Sequence, residues 1–455
     1  MSLKRELIYI DEKDETDRIA EYSDQGDKIR IVFKNTDKEF FYSRRRTRIV
    51  RTALSSDKAF NVFNYLKEIA ETVGLKTEEG NNILATSYDS IAAIPEDCVL
   101  EVFLNKSLSA TKGNSTNPDF FPFGFNLSQR MAVNMAFSNK LSVIDGPPGT
   151  GKTQTILNII ANAILNEQSV AVVSSNNSAT KNVYEKLEKN GLAFIAALLG
   201  NSQNKKEFID SQKSIPDLSK YHFNDKEKLS LNEKAKTLVA QLSENLHNKN
   251  ELALAKLQLE NIETEYEHFK ESHKDKAEKT VAFRRSITAD KILQLWLRLE
   301  SLGNRRRKIG FIKRLIFRLK YGIKDKSFYS NSLGEMIYLC QLKYYPTKIG
   351  ELIGRIESLD TSLRYFSFDD KMKEYSEASM QLLKAELCKR YNNQKREPFT
   401  ISELRFKSDK FIKDYPFIMS TTYSLRQSLS EDIFYDYVII DESSQVDLAT
   451  GALAL

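Results

Sequence analysis

Residues 146–153 have the sequence Gly146-Pro147-Pro148-Gly149-Thr150-Gly151-Lys152-Thr153, which is a complete G-x-x-x-x-G-K-T phosphate loop. The apolar run 141–144 before it and the helical pattern 154–165 after it predict a strand, a loop and a helix in succession. Glycines let consecutive backbone N–H groups surround phosphate oxygens, and the helix N-terminus adds its positive end. Lys152 would reach the β- and γ-phosphates, and Thr153 would ligate Mg²⁺. We therefore predict that this loop, together with Gln154, binds a nucleoside triphosphate.

The composition excludes several classes of protein. The chain is long enough for about three domains. Its content of 41% hydrophobic and 29% charged residues is that of a soluble globular protein rather than a disordered or fibrous one. Lys and Arg number 68 against 62 Asp and Glu, a net charge of +6 that is compatible with nucleic acid without arguing for it.

Cysteine and histidine are scarce. The three cysteines, Cys98, Cys340 and Cys388, have no C-x-x-C spacing, and there are four histidines, so neither a disulfide framework nor a zinc site is indicated. A reducing compartment fits this pattern. The N-terminus has no signal-peptide core, and the longest apolar run, 192–199, is too short to span a bilayer. We therefore expect a cytoplasmic protein with no membrane among its partners.

The first of four regions along the chain, residues 1–117, is predicted to be a small mixed α+β domain. Strand-like stretches lie within 29–42, and apolar residues recur at helical spacing over 59–73. The basic run 44–48 could touch phosphate or could be the solvated end of a strand. The polar, turn-rich segment 111–118 indicates a domain boundary near residue 117.

Residues 118–200 and 401–455 have the pattern of one α/β unit. The apolar strand 169–173 ends in small polar residues, and a later strand, 417–419, ends in Ser420-Thr421-Thr422. Ligands of open parallel sheets bind beyond the carboxyl ends of the strands, which puts these groups on the binding edge. Upstream of the loop, Gln129 lies near a capped helix start, and its amide could match the N6/N7 edge of adenine or could be an ordinary exposed group.

A further strand, 437–440, delivers Asp441 and Glu442 at its carboxyl end. A phosphate loop requires such a pair, because Asp441 can hold Mg²⁺ and Glu442 can orient or deprotonate the attacking water. An Asp-Glu pair after an apolar run is common by itself. We assign it to a nucleotide site because a complete phosphate loop lies upstream in the same chain. Thr153 and Asp441 are therefore predicted to share one Mg²⁺.

The region between, residues 201–400, is predicted to be a long helical insertion. Apolar residues alternate by three and four over 231–242 and 252–269 with a change of register between them, which is coiled-coil spacing. An antiparallel return arm is expected within 372–387. The basic stretch 305–326 is interleaved with apolar and aromatic residues. It would suit single-stranded nucleic acid or another anionic partner, or it could be an amphipathic helix that packs one face and solvates its charges.

Five motifs follow one another along the chain: Asn126-Leu127-Ser128-Gln129, the phosphate loop, Ser174-Ser175-Asn176-Asn177-Ser178-Ala179, Ser420-Thr421-Thr422 and Asp441-Glu442-Ser443-Ser444-Gln445. In this order they resemble the motifs of superfamily 1 helicases, and most of all those of the Upf-like group. The resemblance implies a RecA-like lobe that binds ATP and Mg²⁺, hydrolyses ATP and moves 5′ to 3′ along single-stranded DNA or RNA.

The same resemblance implies roles for single residues. Lys152, Glu442 and Gln445 would be catalytic, with Gln445 sensing the γ-phosphate or linking two lobes. Gln129 would bind adenine. The nucleic-acid backbone would be met by polar residues that follow two of the strands, namely Ser175, Asn176, Asn177, Thr421 and Thr422.

The predicted fold class is therefore α/β, a RecA-like P-loop NTPase lobe with a parallel sheet, interrupted by a long helical coiled-coil insertion and preceded by a small α+β domain. Helicases of this kind continue into a second RecA-like lobe, whose arginines stabilise the transition state, a contribution of about 10³ to 10⁵ in rate for measured arginine fingers. Because the sequence ends at Leu455, shortly after Gln445, we expect a fragment that lacks this lobe and that binds nucleotide but turns it over slowly.

Two other functions stay open at this point. An SMC- or Rad-type ATPase that clamps or tethers DNA also has a coiled coil between its phosphate loop and its acidic strand, although no L-S-G-G-Q-like signature precedes Tyr437 here. Alternatively, the chain could be a nucleotide-binding adaptor without motor activity that binds a protein partner through its coiled-coil arms.

Overall fold

The computed structural model of the chain describes residues 3–36, 38–74, 82–106, 120–175, 177–276, 283–284, 287–304, 310–323, 325–392, 394–430 and 432–455, with the backbone alone for 177–179, 303–304, 311, 313 and 326. The boundary expected near residue 117, Asn176 and the four basic residues 305–308 lie outside this description. The chain forms two compact units. The first contains Met1–Lys236 and Lys373–Leu455, and the second contains Thr237–Met372.

The first unit begins with six short strands: β1 Glu6–Ile10, β2 Lys13–Asp14, β3 Ile19–Asp24, β4 Lys28–Phe33, β5 Glu39–Ser43 and β6 Thr47–Arg51. They form two antiparallel sheets in the orders β2-β1-β6 and β3-β4-β5. Alternate residues of β1 and β4 are buried isoleucines, which pack in one cluster with Ile19. This period of two explains why the segment folds as strands. The strand-like stretches predicted within 29–42 lie in β4 and β5.

Three helices follow, α1 Asp57–Val73, α2 Ile83–Ser90 and α3 Val99–Asn105, and they share a core with the last helix of the chain, α16 Leu448–Ala454. In that core the Tyr88 hydroxyl donates a hydrogen bond of 2.7 Å to the carbonyl of Ala449. The Phe63 ring packs against Tyr88 with 5.3 Å between the ring centroids. The N-terminal helices are thereby attached to the segment that follows Glu442.

The centre of the first unit is a parallel sheet of four strands, β7 Val170–Ser174, β8 Ala196–Leu198, β9 Phe417–Thr421 and β10 Tyr437–Asp441, in the order β10-β7-β9-β8. All five residues of β7 are buried, because helices cover both of its faces. The register places Asp441, Ser174 and Thr421 in one row at the carboxyl edge.

The helices around this sheet are short to medium in length. One face is covered by α5 Lys152–Leu165 and α6 Asn177–Lys189, and the other by α13 Glu403–Phe406, α14 Ser408–Asp414 and α15 Leu425–Ser428. Two more helices complete this part, α4 Leu127–Ser138 against α5 and α7 Ser202–Asp210 against β8.

The apolar run 141–144, predicted as the strand before the phosphate loop, is irregular in the structure. Val143 is 90% exposed and Ile144 is 40% exposed. A strand is held by the hydrogen bonds of a neighbouring strand, and no strand in the described ranges pairs with this run. The prediction of a strand here is wrong for that reason, whereas the loop and the helix after it are present.

Two long helices connect the units. The chain enters the second unit along α8 Asp225–Ser272 and returns along α12 Phe368–Tyr391. Their portions within the first unit are antiparallel, because Lys228 pairs with Glu386 at 2.9 Å and Lys234 with Glu374 at 2.7 Å. Among the residues that the structure describes, every helix is too short or too polar to cross a membrane.

The second unit is helical. Besides parts of α8 and α12 it contains α9 Ala289–Asn304, α10 Phe311–Tyr321 and α11 Leu333–Arg364. Its core includes residues spaced by three and four along α9, namely Ile292, Leu295 and Leu299. This spacing places them on one helix face, which explains why the segment folds as an amphipathic helix.

We predict that Tyr88→Phe lowers the free energy of unfolding by about 1 kcal/mol, because it removes the hydroxyl that bonds to the Ala449 carbonyl inside a core. Urea unfolding of the whole chain, followed by circular dichroism, measures the change. Tyr65→Phe is the matched control, since Tyr65 lies on α1 with 61% of its surface exposed. Equal losses in the two variants would contradict a structural role for this hydrogen bond.

Candidate active site

The phosphate loop is shaped by glycines in the left-handed region of backbone conformation. Gly149 and Gly151 have φ angles of +87° and +85°, which residues with a side chain adopt only with strain. A Cβ at Gly151 would lie 2.1 Å from Nε2 of Gln129, so this position also has no room for a side chain. Residues 147–150 are exposed, and the loop leads into the N-terminus of α5. The N–H groups of a helix N-terminus are donors suited to an anion.

An ion pair joins the phosphate loop to the end of β10. Lys152 Nζ lies 3.2 Å from Oε1 of Glu442, and the two side chains are 33% and 38% exposed. Glu442 has a φ of +52°, a left-handed conformation that is uncommon outside glycine and that concentrates at functional sites. Gln445 is exposed at the end of the 3₁₀ turn that follows. The loop cation and the acid predicted to act on water are thus in direct contact.

Asp441, the last residue of β10, carries a half-buried carboxylate. Burial raises its pKa above the ordinary value, and the neighbouring Glu442 carboxylate adds to the increase, whereas the backbone N–H of Glu442 and the Lys152 ammonium oppose it. A carboxylate in such a position gains from a bound cation. The hydroxyl of Thr153, next to Lys152, is a second oxygen of the kind that Mg²⁺ prefers. The chemistry of these two residues therefore fits a magnesium ion.

Gln129, near the start of α4, is buried, with 7% of its surface exposed. Its side-chain oxygen accepts a hydrogen bond from the backbone N–H of Asn126, and the Asn126 side-chain oxygen accepts one from the backbone N–H of Gln129, a capping box that fixes the helix start. Its Nε2 donates to the carbonyls of Thr150 and Gly151 at 3.1 and 3.4 Å and to Oε1 of Gln154 at 3.2 Å. The amide supports the phosphate loop in this arrangement, and an adenine edge would have to replace some of these bonds.

A row of amide side chains along α5 bonds to the backbone of residues 120–124 and was not expected from the sequence. Asn158 is fully buried, and it accepts from and donates to the backbone of residues 120–124 at 3.2 and 2.8 Å. Asn162 donates to the same segment at 2.6 Å, and Gln154 also donates to it. The signal in the sequence is the spacing of four residues between amides in an otherwise apolar helix, which puts them on one face.

The residues predicted to meet nucleic acid lie at the carboxyl edge of the sheet but differ in exposure. Ser175 is exposed and Thr421 is half-buried, whereas Thr422 has 3% of its surface exposed. Asn176 lies outside the described residues, and Asn177 is described by its backbone alone, as the first residue of α6. The backbone N–H of Thr422 donates a hydrogen bond to the carbonyl of Ser174 at the end of β7. Ser175 and Thr421 are therefore accessible to a ligand, whereas the buried side chain of Thr422 is not in a position to contact one directly.

The part of the chain that contains this site matches a known protein family and is similar to known proteins. Residues 124–447 match the family described as AAA domain. The chain is 36% identical over 77 residues to the DNA polymerase alpha-associated DNA helicase A of Schizosaccharomyces pombe, an alignment that covers 17% of the chain and 12% of the relative.

Two further relatives are similar in the same way. An uncharacterised ATP-dependent helicase of Methanocaldococcus jannaschii is 35% identical over 126 residues, which are 27% of the chain and 19% of the relative. The DNA-binding protein SMUBP-2 of Mus musculus is 33% identical over 94 residues, which are 20% of the chain and 10% of the relative. The matched part of the chain thus covers 10% to 19% of the length of these three relatives.

We predict that Asp441→Asn stabilises the ligand-free chain at neutral pH by about 0.5–1 kcal/mol, because burial disfavours the ionised carboxylate. A raised pKa in the folded state means that the wild-type chain gains stability as the pH falls through that pKa and the carboxyl group becomes neutral. The difference between wild type and variant should therefore be present at neutral pH and vanish in acid. Urea unfolding in magnesium-free buffer at both pH values measures it, and a gain that persists in acid would refute this explanation.

Proposed function

The chain belongs to the AAA-domain family of superfamily 1 helicases of the Upf-like group, and from this premise we propose that it is the RecA-like, ATP-hydrolysing lobe of a nucleic-acid helicase or translocase. The observation that carries the proposal is the 3.2 Å contact between Lys152 and Glu442. It joins the phosphate loop to the acidic end of β10, although the two are far apart in the sequence. The family match favours this function over that of an SMC- or Rad-type tether.

In this proposal the residues of the loop hold the nucleotide. The backbone N–H groups from Gly146 to Thr153 and the Lys152 ammonium bind the β- and γ-phosphates, and Gln129 contacts adenine while it supports the loop. Thr153 and Asp441 hold Mg²⁺, which when bound neutralises charge on the phosphates. Their oxygens are the ligand type that this ion requires.

The ion pair between Lys152 and Glu442 opens when ATP binds. A triphosphate offers Lys152 more negative charge than one carboxylate does, and a partly exposed ion pair contributes only about 0–1 kcal/mol. Glu442, once released, accepts a hydrogen bond from the attacking water and takes its proton. Gln445, in the exposed turn after Glu442, contacts the γ-phosphate and responds to its loss.

Nucleic acid is proposed to run along the carboxyl edge of the sheet. Ser175, Asn176, Asn177 and Thr421 supply hydroxyl and amide groups of the kind that contact backbone phosphates, and the buried Thr422 is left out of this set. The names of the relatives support the class of ligand, since one is a DNA helicase and another a DNA-binding protein. We also propose that the chain moves from 5′ to 3′ along single-stranded DNA or RNA, because its motifs resemble those of the Upf-like group.

Two substitutions at the ion pair should have opposite effects on nucleotide affinity. Lys152→Ala should weaken ATP binding at least about tenfold, because it removes the ammonium that faces the phosphates. Glu442→Gln should strengthen binding by about two- to fivefold, because the competing carboxylate loses its charge, and should slow hydrolysis by at least about 100-fold. Binding of a fluorescent ATP analogue and release of phosphate, both measured on the whole chain with Mg²⁺, test these expectations.

Lys140→Ala is the matched control for Lys152→Ala, since the ammonium of Lys140 pairs with Asp97 rather than with a site residue. Equal ATP binding by the two variants would overturn the nucleotide site. An unchanged rate of hydrolysis in Glu442→Gln would overturn the role of Glu442 alone. Nucleotide binding that never alters the affinity for nucleic acid would favour an adaptor over a motor.

We predict that Ser175→Glu weakens the binding of single-stranded nucleic acid about tenfold, because it places a negative charge beside the phosphate backbone. Fluorescence anisotropy with DNA and RNA oligonucleotides of the same sequence, in the presence of a non-hydrolysable ATP analogue, measures the loss and compares the two tracks. Ser230→Glu is the matched control, since Ser230 is an exposed serine of α8. Equal affinities of the two variants would argue against this path for the strand.

A further inference from the structure

Helix α10 presents an apolar face to solvent. Its inner face is held in the core of the second unit by Phe317 and Tyr321, which are 5% and 3% exposed. Four aliphatic residues on the other side, here called the aliphatic row, are 50% to 73% exposed: Ile312, Leu315, Ile316 and Leu319. At about 100° per residue, the row lies opposite the buried face. The helix therefore forms a convex apolar ridge.

Basic residues border the aliphatic row. By helical position Lys320 lies on one flank and Arg318 on the other, and the sequence of α10 contains four basic residues and no acidic one. The sequence from 305 to 326 contains ten Lys and Arg against one acid, Asp325. An anionic partner is complementary to this excess of positive charge.

The chemistry of the ridge favours a lipid surface over other anionic partners. Single-stranded nucleic acid binds through aromatic side chains on which bases stack, but the two aromatic residues of α10 whose side chains the structure describes, Phe317 and Tyr321, face inward, and the exposed row is aliphatic. A second copy of the chain would meet the first with the same positive charge. A protein would need a groove with an apolar floor and acidic walls, whereas an anionic bilayer offers an apolar layer beneath phosphates to any helix of this kind.

We propose that α10 docks the second unit on a membrane surface rich in anionic phospholipid. The aliphatic row enters the boundary between headgroups and acyl chains, and Arg318 and Lys320 contact the lipid phosphates. The helix needs no unfolding to do so, because its inner face stays in the protein core. The expectation that no membrane is among the partners rested on the lack of a spanning segment, and surface docking requires none.

Co-sedimentation of the whole chain with vesicles tests the proposal. Wild type should sediment with vesicles of phosphatidylcholine and phosphatidylglycerol in equal parts, and not with phosphatidylcholine alone. Leu315→Gln/Leu319→Gln should weaken the attachment about tenfold or more, because two side chains of the row become polar. Leu254→Gln/Leu257→Gln is the matched control, since these leucines of α8 are 46% and 54% exposed, and it should sediment like wild type.

Four results would overturn the proposal. They are failure of wild type to sediment with the anionic vesicles, sedimentation as strong with phosphatidylcholine alone, a Leu315→Gln/Leu319→Gln variant that sediments like wild type, and a loss as large in the control variant. A fifth concerns nucleic acid: if Arg318→Gln/Lys320→Gln weakens the binding of a single-stranded oligonucleotide but not that of anionic vesicles, the basic flanks serve nucleic acid and the proposal is wrong. Circular dichroism of each variant verifies that its helix content is that of wild type.

Discussion

The parallel pairing of β10 with β7 is the constraint on which the rest of the site depends. Asp441 is in register with Ser174, and this register sets the level at which the acidic end of β10 meets the phosphate loop. Because the four strands run parallel, Thr421 at the end of β9 lies at the same edge of the sheet as Ser175 and Glu442, which directly follow β7 and β10. A slip of one residue would turn Asp441 to the other face of the sheet and separate Glu442 from Lys152.

Amide side chains, in addition to apolar contacts, hold the phosphate loop and the segment 120–124 in place beside α5. Gln129, Gln154, Asn158 and Asn162 bond to the backbone of the loop or of residues 120–124, which form neither helix nor strand. Buried amides are costly unless they are paired, so an arrangement that pairs them specifies one geometry as well as stabilising it. The loop is positioned before a ligand arrives, which reduces the ordering that binding would otherwise require.

Local chemistry could be predicted from the sequence, and tertiary contacts could not. The phosphate loop, its helix and the strand ending in Asp441 follow from neighbouring residue types, and the likeness to superfamily 1 helicases is confirmed by the family match. The run 141–144 has the residues of a strand but not the neighbour that a strand needs. The burial of Thr422 is likewise a tertiary feature that its residue type does not predict. The bond from Tyr88 to Ala449 joins residues 361 positions apart, a separation about which periodicity carries no information.

The backbone conformation of Glu442 depends on packing between residues that are distant in the sequence. A left-handed φ at a residue other than glycine costs about 1–3 kcal/mol and persists only where the surroundings impose it. On one side β10 holds the residue through its pairing with β7. On the other, the turn Ser443–Gln445 leads into α16, which the Tyr88 hydroxyl and the core of the N-terminal helices keep in place. We expect that loosening those helices would relax the backbone of Glu442 and move its carboxylate away from Lys152, so that the N-terminal helices help to position the proposed catalytic base.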